Sequence, residues 1–144
     1  EDPTVVRTFF VPKLCNQCAH PPCVQVCPVG ATFQTQDGVV LVDATRCIGC
    51  RYCIQACPYG ARYLNPKTRT ADKCTFCYHR IEKGLEPACV AVCPTRSIHF
   101  GDIDDPQSNV SQLLEQNQHF RMHEELGNGP GFYYLWDKKA EVTA

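Results

Sequence analysis

The apolar positions along the chain come in short runs. The longest, residues 38–42, is strand-sized and far below the roughly 20 residues a membrane helix needs, so the chain itself is expected not to span a bilayer. Residues 31–43 carry two β-prone runs flanking Asp37-Gly38, which predicts a hairpin closed by a type I′ turn. Residues 61–65 predict a short strand ended by Pro66. Short helices are expected over 23–27, 53–57 and 89–93. Further on, Asp105-Pro106 offers an N-cap and a first helical position, and Val110, Leu113 and Leu114 form one apolar stripe. Together they predict a helix over 106–118. A breaker-rich loop over 127–131 then leads into the aromatic, strand-like segment 132–136. The pattern is that of a small α+β protein, with a cysteine-rich part over 1–100 and a helix-and-aromatic tail over 101–144. The tail is expected either to pack back on its own domain or to dock a partner, since aromatics are enriched at interface cores.

Composition narrows the chemistry. The 144 residues hold 14 Lys plus Arg against 15 Asp plus Glu, a formal net charge of −1, which leaves no basic footprint for nucleic acid. The 12 cysteines allow disulfides, zinc or iron–sulfur clusters, and composition alone would favour disulfides. Spacing reverses that. The first group is Cys15-x2-Cys18-x4-Cys23-x3-Cys27-Pro28, the second Cys47-x2-Cys50-x2-Cys53-x3-Cys57-Pro58, and the third Cys74-x2-Cys77-x11-Cys89-x3-Cys93-Pro94. Each begins with C-x2-C and ends with C-x3-C-P, an internal repeat with variable insertions. A C-x2-C turn aims two thiolates and several amides into one concavity. A C-x3-C step is about one helical turn, which predicts both its cysteines on one side of a short helix. The proline then turns the chain away. Disulfide chemistry has no use for a C-x3-C-P ending three times, and zinc knuckles pair C-x2-C units rather than this dense run. The protein is therefore expected to bind 4Fe–4S clusters.

The second quartet resembles the bacterial ferredoxin run, in which the fourth cysteine ligates the other cluster of a pair. Applied to this sequence, that likeness assigns Cys15, Cys18, Cys23 and Cys57 to one cluster and Cys47, Cys50, Cys53 and Cys27 to a second. The fold class follows as a ferredoxin-like tandem iron–sulfur domain. The third quartet either closes on itself through Cys74, Cys77, Cys89 and Cys93 or shares ligands with a motif elsewhere. Arg46, Arg51, Lys73 and Arg80 border the cysteines and are candidates for tuning cluster potential. His20 and His79 are expected to be hydrogen-bonding or surface residues rather than ligands. Tyr52, Tyr59 and Phe76 are expected to exclude water. No nucleophile elbow, P-loop or dinucleotide fingerprint occurs, and every quartet ends in Cys, so no iron is left open for substrate. A relay is expected, not a catalyst.

The phrases Cys18-Ala-His-Pro-Pro-Cys23, Cys47-Ile-Gly-Cys-Arg-Tyr-Cys53, Cys57-Pro-Tyr-Gly-Ala-Arg62, Cys74-Thr-Phe-Cys77-Tyr-His-Arg80 and Gly84-Leu-Glu-Pro-Ala-Cys89 resemble the four-cluster electron-transfer subunits of the dimethyl-sulfoxide-reductase-type molybdopterin oxidoreductases. The likeness is strongest to polysulfide and tetrathionate reductase iron–sulfur subunits, and extends to the iron–sulfur region of alternative complex III. It implies electron transfer between a molybdopterin catalytic subunit and an integral membrane quinone-reactive subunit, at the inner membrane of a bacterium and on its periplasmic side. The competing reading is a free polyferredoxin carrier. The family pattern has sixteen cluster cysteines, and its first C-x2-C-x2-C-x3-C motif lies upstream of the position of Val5. The sequence, which opens Glu1-Asp2-Pro3 without Met or a leader, is accordingly expected to be an incomplete copy, or to meet that motif on a neighbouring polypeptide. Two clusters are expected from these residues alone, and three or four in the intact assembly.

Overall fold

The computed structural model describes residues 10–136. Its elements run α1 (Pro22–Gln25), β1 (Thr32–Gln34), β2 (Val40–Val42), α2 (Tyr52–Gln55), β3 (Arg62–Leu64), β4 (Ala71–Lys73), α3 (Tyr78–Ile81), α4 (Ala88–Ala91), α5 (Asn109–Gln116), β5 (His119–Phe120), a 3-10 turn over Glu124–Leu126, and β6 (Tyr134–Leu135). The strands form three antiparallel pairs, β1 with β2, β3 with β4 and β5 with β6. The first two units repeat one plan, a one-turn helix feeding a hairpin. Helix α1 packs on α2 and β1, α2 packs on β3, and β2 packs on β4.

Prolines set where the short helices stop. The sequence predicts helices reaching Cys27, Cys57 and Cys93, but they end at Gln25, Gln55 and Ala91, with caps at Val26, Ala56 and Val92. A residue that precedes proline is pushed out of the helical region, and all three of these cysteines precede proline. The final cysteine of each quartet thus leaves the helix instead of sharing its face. The backbone repeats elsewhere too. The third position of each C-x2-C turn is left-handed, at Gln17 (φ 43°), Gly49 (φ 70°) and Phe76 (φ 58°), as is the third position after each final cysteine, at Gly30 (φ 60°), Gly60 (φ 61°) and Arg96 (φ 50°).

The first hairpin differs from the predicted turn. Gly38 has φ 82° but Asp37 is not among the positive-φ residues, whereas a type I′ turn needs both. Instead the Gly38 amide bonds to the Thr35 carbonyl at 3.1 Å and the Thr35 amide to the Val39 carbonyl at 2.9 Å, a three-residue loop ending in a left-handed glycine. The predicted strand over 61–65 is β3, trimmed to three residues and paired in the register Arg62 to Lys73, Tyr63 to Asp72 and Leu64 to Ala71. The predicted helix over 106–118 starts later. Asp105 instead holds a turn through the Gln107 amide at 2.9 Å, and Ser108 caps α5 by accepting from the Ser111 amide at 3.1 Å. A shorter side chain that satisfies an orphan N–H won over the Asp-Pro signal.

The apolar core is thin. Val39, Val40, Ala31, Ala71 and Tyr59 are buried, but Val40 and Pro130 are the largest side chains wholly out of solvent. The segment after the 3-10 turn runs back along the first cysteine loop. Its Gly129 and Asn128 carbonyls accept from the Ala19 and His20 amides at 2.8 and 2.9 Å, and the Gly131 amide donates to Asn16 at 2.7 Å. The aromatic segment pairs as β6 with β5, with Phe120 stacked on Tyr134 at 5.1 Å between centroids.

Candidate metal centres

All twelve cysteines are free thiols. Cys18 is at the centre of the first group. Burial pushes its thiol up to about 11, and Cys15, Cys23 and Cys57 act on it as repelling neighbours. Cys23 is likewise raised by burial, opposed by the charge of Arg62 and reinforced by Cys15 and Cys57. The structure therefore brings Cys57 to Cys15, Cys18 and Cys23, across the whole first hairpin. Cys27, only four residues after Cys23, lies in another environment. Partial burial raises its thiol, but the amides of Thr32, Val29, Ala31 and Gly30 outweigh that and hold it below the ordinary thiol range. Cys47 takes an amide from outside its own loop, since Ala71 N lies 3.4 Å from its Sγ. Cys53 is buried at the start of α2.

Of the third quartet, Cys74 follows β4, Cys89 lies in α4 and Cys93 follows it. Cys77 caps α3 in a left-handed conformation (φ 49°), and its Sγ accepts from the Ala88 amide at 3.4 Å, beside Cys89. Cys74 is exposed as a residue, yet its sulfur is packed, and that desolvation raises the thiol. The Phe76 amide opposes the shift, while Cys15, Lys73 and Cys77 act as charged neighbours. Cys93 is set by other groups. The hydroxyls of Thr95 and Ser97, at 3.5 and 3.6 Å, and the amides of Ile98 and Ser97 bring its thiol down to about 6.

The donors around the first group look for an anion. Among the described residues four buried side-chain atoms lack a close hydrogen-bond partner, and three of them are donors beside thiols, Tyr59 Oη near Cys18 and Arg62 Nε and Nη2 on the guanidinium that acts on Cys23. Tyr59 is raised by burial, opposed by Asn128 and reinforced by Cys18 and Cys57. Arg62 bonds Thr32 Oγ1 at 3.1 Å through its remaining nitrogen. A 4Fe–4S cube would take one cysteine sulfur at each of its four corners. The residues fit that group.

Of the cations singled out by sequence, only Lys73 is buried. Arg46 bonds the Val29 carbonyl at 3.0 Å and Arg80 the Glu86 carbonyl at 2.8 Å, while Arg51 is exposed before α2. Burial presses the Lys73 ammonium down, and Cys15, then Cys74 and Cys23, oppose that. Arg62 was not singled out, because nothing in Cys57-Pro-Tyr-Gly-Ala-Arg62 marks a strand position as inward. The alternation of β3, with Arg62 buried and Tyr63 exposed, would have been the signal. His79 lines a groove of about 390 Å³ with Phe33, Leu41 and Tyr78.

Small hairpin-and-helix units, with Cys57 of the second brought to the cysteines of the first, mark a class, the ferredoxin-like 4Fe–4S proteins. Residues 6–103 match the family described as "4Fe-4S dicluster domain". The sequence is 51% identical over 140 residues to the B subunit of tetrathionate reductase from Salmonella typhimurium, covering 96% of this protein and 56% of that one. It is 45% identical over 131 residues to the B component of polysulfide reductase from Wolinella succinogenes, covering 90% and 69%. Against protein NrfC of Escherichia coli the identity is 47% over 145 residues, covering 99% and 65%. The protein belongs to the 4Fe-4S dicluster family and is similar over nearly all its length to the B components of these reductases. It spans just over half to about two thirds of the length of these relatives.

Proposed function

We propose that this protein relays single electrons through 4Fe–4S clusters, between a molybdopterin catalytic subunit and an integral membrane quinone-reactive subunit. Among the described residues no helix is long and apolar enough to cross a membrane. The reading is therefore a peripheral subunit held by its partners on the bacterial inner membrane, on the periplasmic side. The ligand sets are Cys15, Cys18, Cys23 with Cys57, and Cys47, Cys50, Cys53 with Cys27. The third quartet, Cys74, Cys77, Cys89 and Cys93, completes itself or shares a cluster with a motif outside these residues. Bound clusters supply one-electron chemistry without substrate transformation. The protein's own groups exclude water with Tyr59 and the 128–131 segment, and direct amides at Cys27, Cys47 and Cys77.

One observation carries this reading, the gathering of Cys57 with Cys15 and Cys23 around buried Cys18. A shared cofactor gives thiols from two distant segments a reason to gather at one desolvated site. The tetrathionate and polysulfide relatives are named as components of reductases, which supports membership of an assembly. The test is Cys57→Ala with iron and sulfide counting and paramagnetic resonance after dithionite. The expected loss is one cluster, with the signal of the Cys47 set retained. Zinc without acid-labile sulfide in the unaltered protein would overturn the proposal.

A further inference from the structure

Arg62 and Lys73 face each other across β3 and β4 as direct register partners, and each is only 5% exposed. Like charges set directly opposite in a sheet repel, and a buried guanidinium cannot shed its proton. Neither cation has a carboxylate partner. Among the described residues the ion pairs are Arg121 with Glu124 and His123 with Glu125, and the nearby Asp72 is engaged by Tyr63 and Asn65. Lys73 Nζ donates to two carbonyls, Val40 O and Cys74 O, an arrangement suited to an ammonium. No close acceptor reaches Arg62 Nε or Nη2, and its guanidinium acts on Cys23 by charge and by hydrogen bonding. Two buried positive charges without a protein counter-ion require an anion, and the groups around them are Cys15, Cys23 and Cys74.

Strand β4 also orders the sites. Its first amide, Ala71 N, touches Cys47 Sγ; two residues later Lys73 faces Cys15 and Cys23; the next residue is Cys74. The Cys15 set thus lies between the Cys47 set and the third quartet. Resting on the ligand sets of the proposed function, we propose that Arg62 and Lys73 are positioning residues for the electron. They raise the reduction potential of the cluster held by Cys15, Cys18, Cys23 and Cys57 above that of the cluster held by Cys47, Cys50, Cys53 and Cys27. A cube with four thiolates carries about −2 when oxidised and gains one further negative charge on reduction. Fixed cations stabilise the more negative state. The step is one electron in, with no bond made or broken and no proton required. Around the Cys47 set the compensation is by backbone amides, whose partial charges are smaller, and by exposed Arg46, which solvent screens.

The experiment is an anaerobic dithionite titration of the full-length protein in its native complex, followed by paramagnetic resonance. The signal of the Cys15 set is the one lost in Cys57→Ala. Arg62→Gln should move the midpoint of that signal to lower potential by at least a tenfold change in the reduction equilibrium, about 59 mV for one electron. Arg62→Lys should restore most of it. Lys73→Gln should move the same signal and that of the third quartet, and leave the Cys47 set in place. Full iron content with an unmoved midpoint, or an equal shift of every signal, overturns the proposal. Should Arg62→Gln not load iron, pulsed resonance on unaltered protein carrying ¹⁵N-arginine decides. Nitrogen coupling is expected on the most easily reduced cluster, and its absence there refutes the assignment. Failure of the ligand reading itself shows up separately, as missing iron and sulfide in the unaltered protein.

Discussion

Gly49 and Gly60 both have left-handed backbones, at φ 70° and 61°, yet alanine should be costly at only one of them. At Gly60 an added Cβ meets nothing within 4 Å. Its repeat counterpart Arg96 carries a full side chain at φ 50°, so the position tolerates Cβ. Gly60→Ala should cost the left-handed penalty alone, about 1 kcal/mol. At Gly49 the Cβ would stand 2.6 Å from the carbonyl oxygen of Arg69, closer than side-chain carbons come to backbone. Conformation is not what demands glycine there, since Gln17 and Phe76 hold the same turn position at φ 43° and 58°. The space is. Arg69 is itself left-handed at φ 58°, is bonded to Asn65 at 2.8 Å, and lies two residues before the amide that touches Cys47 Sγ. Relieving the clash must shift the β3–β4 turn or Cys50. Adding about 2 kcal/mol for that overpacking to the shared penalty gives about 3 kcal/mol for Gly49→Ala. Cluster proteins unfold irreversibly, so the assay is the rate at which visible absorbance is lost in guanidinium under argon. A 2 kcal/mol gap corresponds to about thirtyfold between the variants if it falls on the unfolding rate. Gly49→Ala should also alter the resonance of the Cys47 set, and Gly60→Ala should not. Equal loss rates for the two variants would refute the argument.

Two further outcomes follow from the same geometry. Removing the clusters with chelator and oxidant should unfold residues 15–93, because among the described residues Val40 and Pro130 are the largest side chains wholly buried; hydrogen exchange should lose all protection in β1 to β4, and native-like protection in the stripped protein would contradict this. Ser108→Ala should cost about 1 kcal/mol through loss of the cap on α5, read as faster exchange in 109–116, with the resonance spectrum unchanged.

Cysteine spacing made the site legible because a motif within one loop is local. Proline told the backbone where to turn, but its effect on the preceding cysteine took that cysteine off the helix, and the one-helix-face expectation missed it. The Asp37-Gly38 hairpin was found and its turn type was not, because Thr35 closes the loop by both its carbonyl and its hydroxyl, which bonds the Val39 amide at 3.0 Å. Strand β4 and helix α3 were illegible for a different reason. Ala71-Asp-Lys73 has no β propensity, and Cys77-Tyr-His-Arg-Ile81 no periodicity long enough to register; both are held by tertiary partners. Arg62 was hidden because a charged residue is read as solvated unless its partner is known, and here the partner is a cofactor.

The repeat of backbone angles bears on the third quartet more strongly than its spacing does. The eleven residues between Cys77 and Cys89 break the sequence likeness to the other two groups. Yet Phe76 takes the dihedral of Gln17 and Gly49, and Arg96 that of Gly30 and Gly60. Non-glycine residues enter the left-handed region at a cost, so a phenylalanine and an arginine there mark a shape the site requires. In the first copy that shape separates the last cysteine from its neighbours. Cys27 is surrounded by the amides of its own C-P loop, while Cys23 keeps company with Cys15 and Cys57. Cys93 is likewise surrounded by the loop that follows it, through two hydroxyls and two amides, while Cys77 acts on Cys74. By analogy with Cys27, we propose that Cys93 serves a further motif rather than closing its own quartet. Cys93→Ala should then leave the resonance of the Cys74, Cys77 and Cys89 cluster in place and remove a different one, and loss of the former would restore the self-closed quartet.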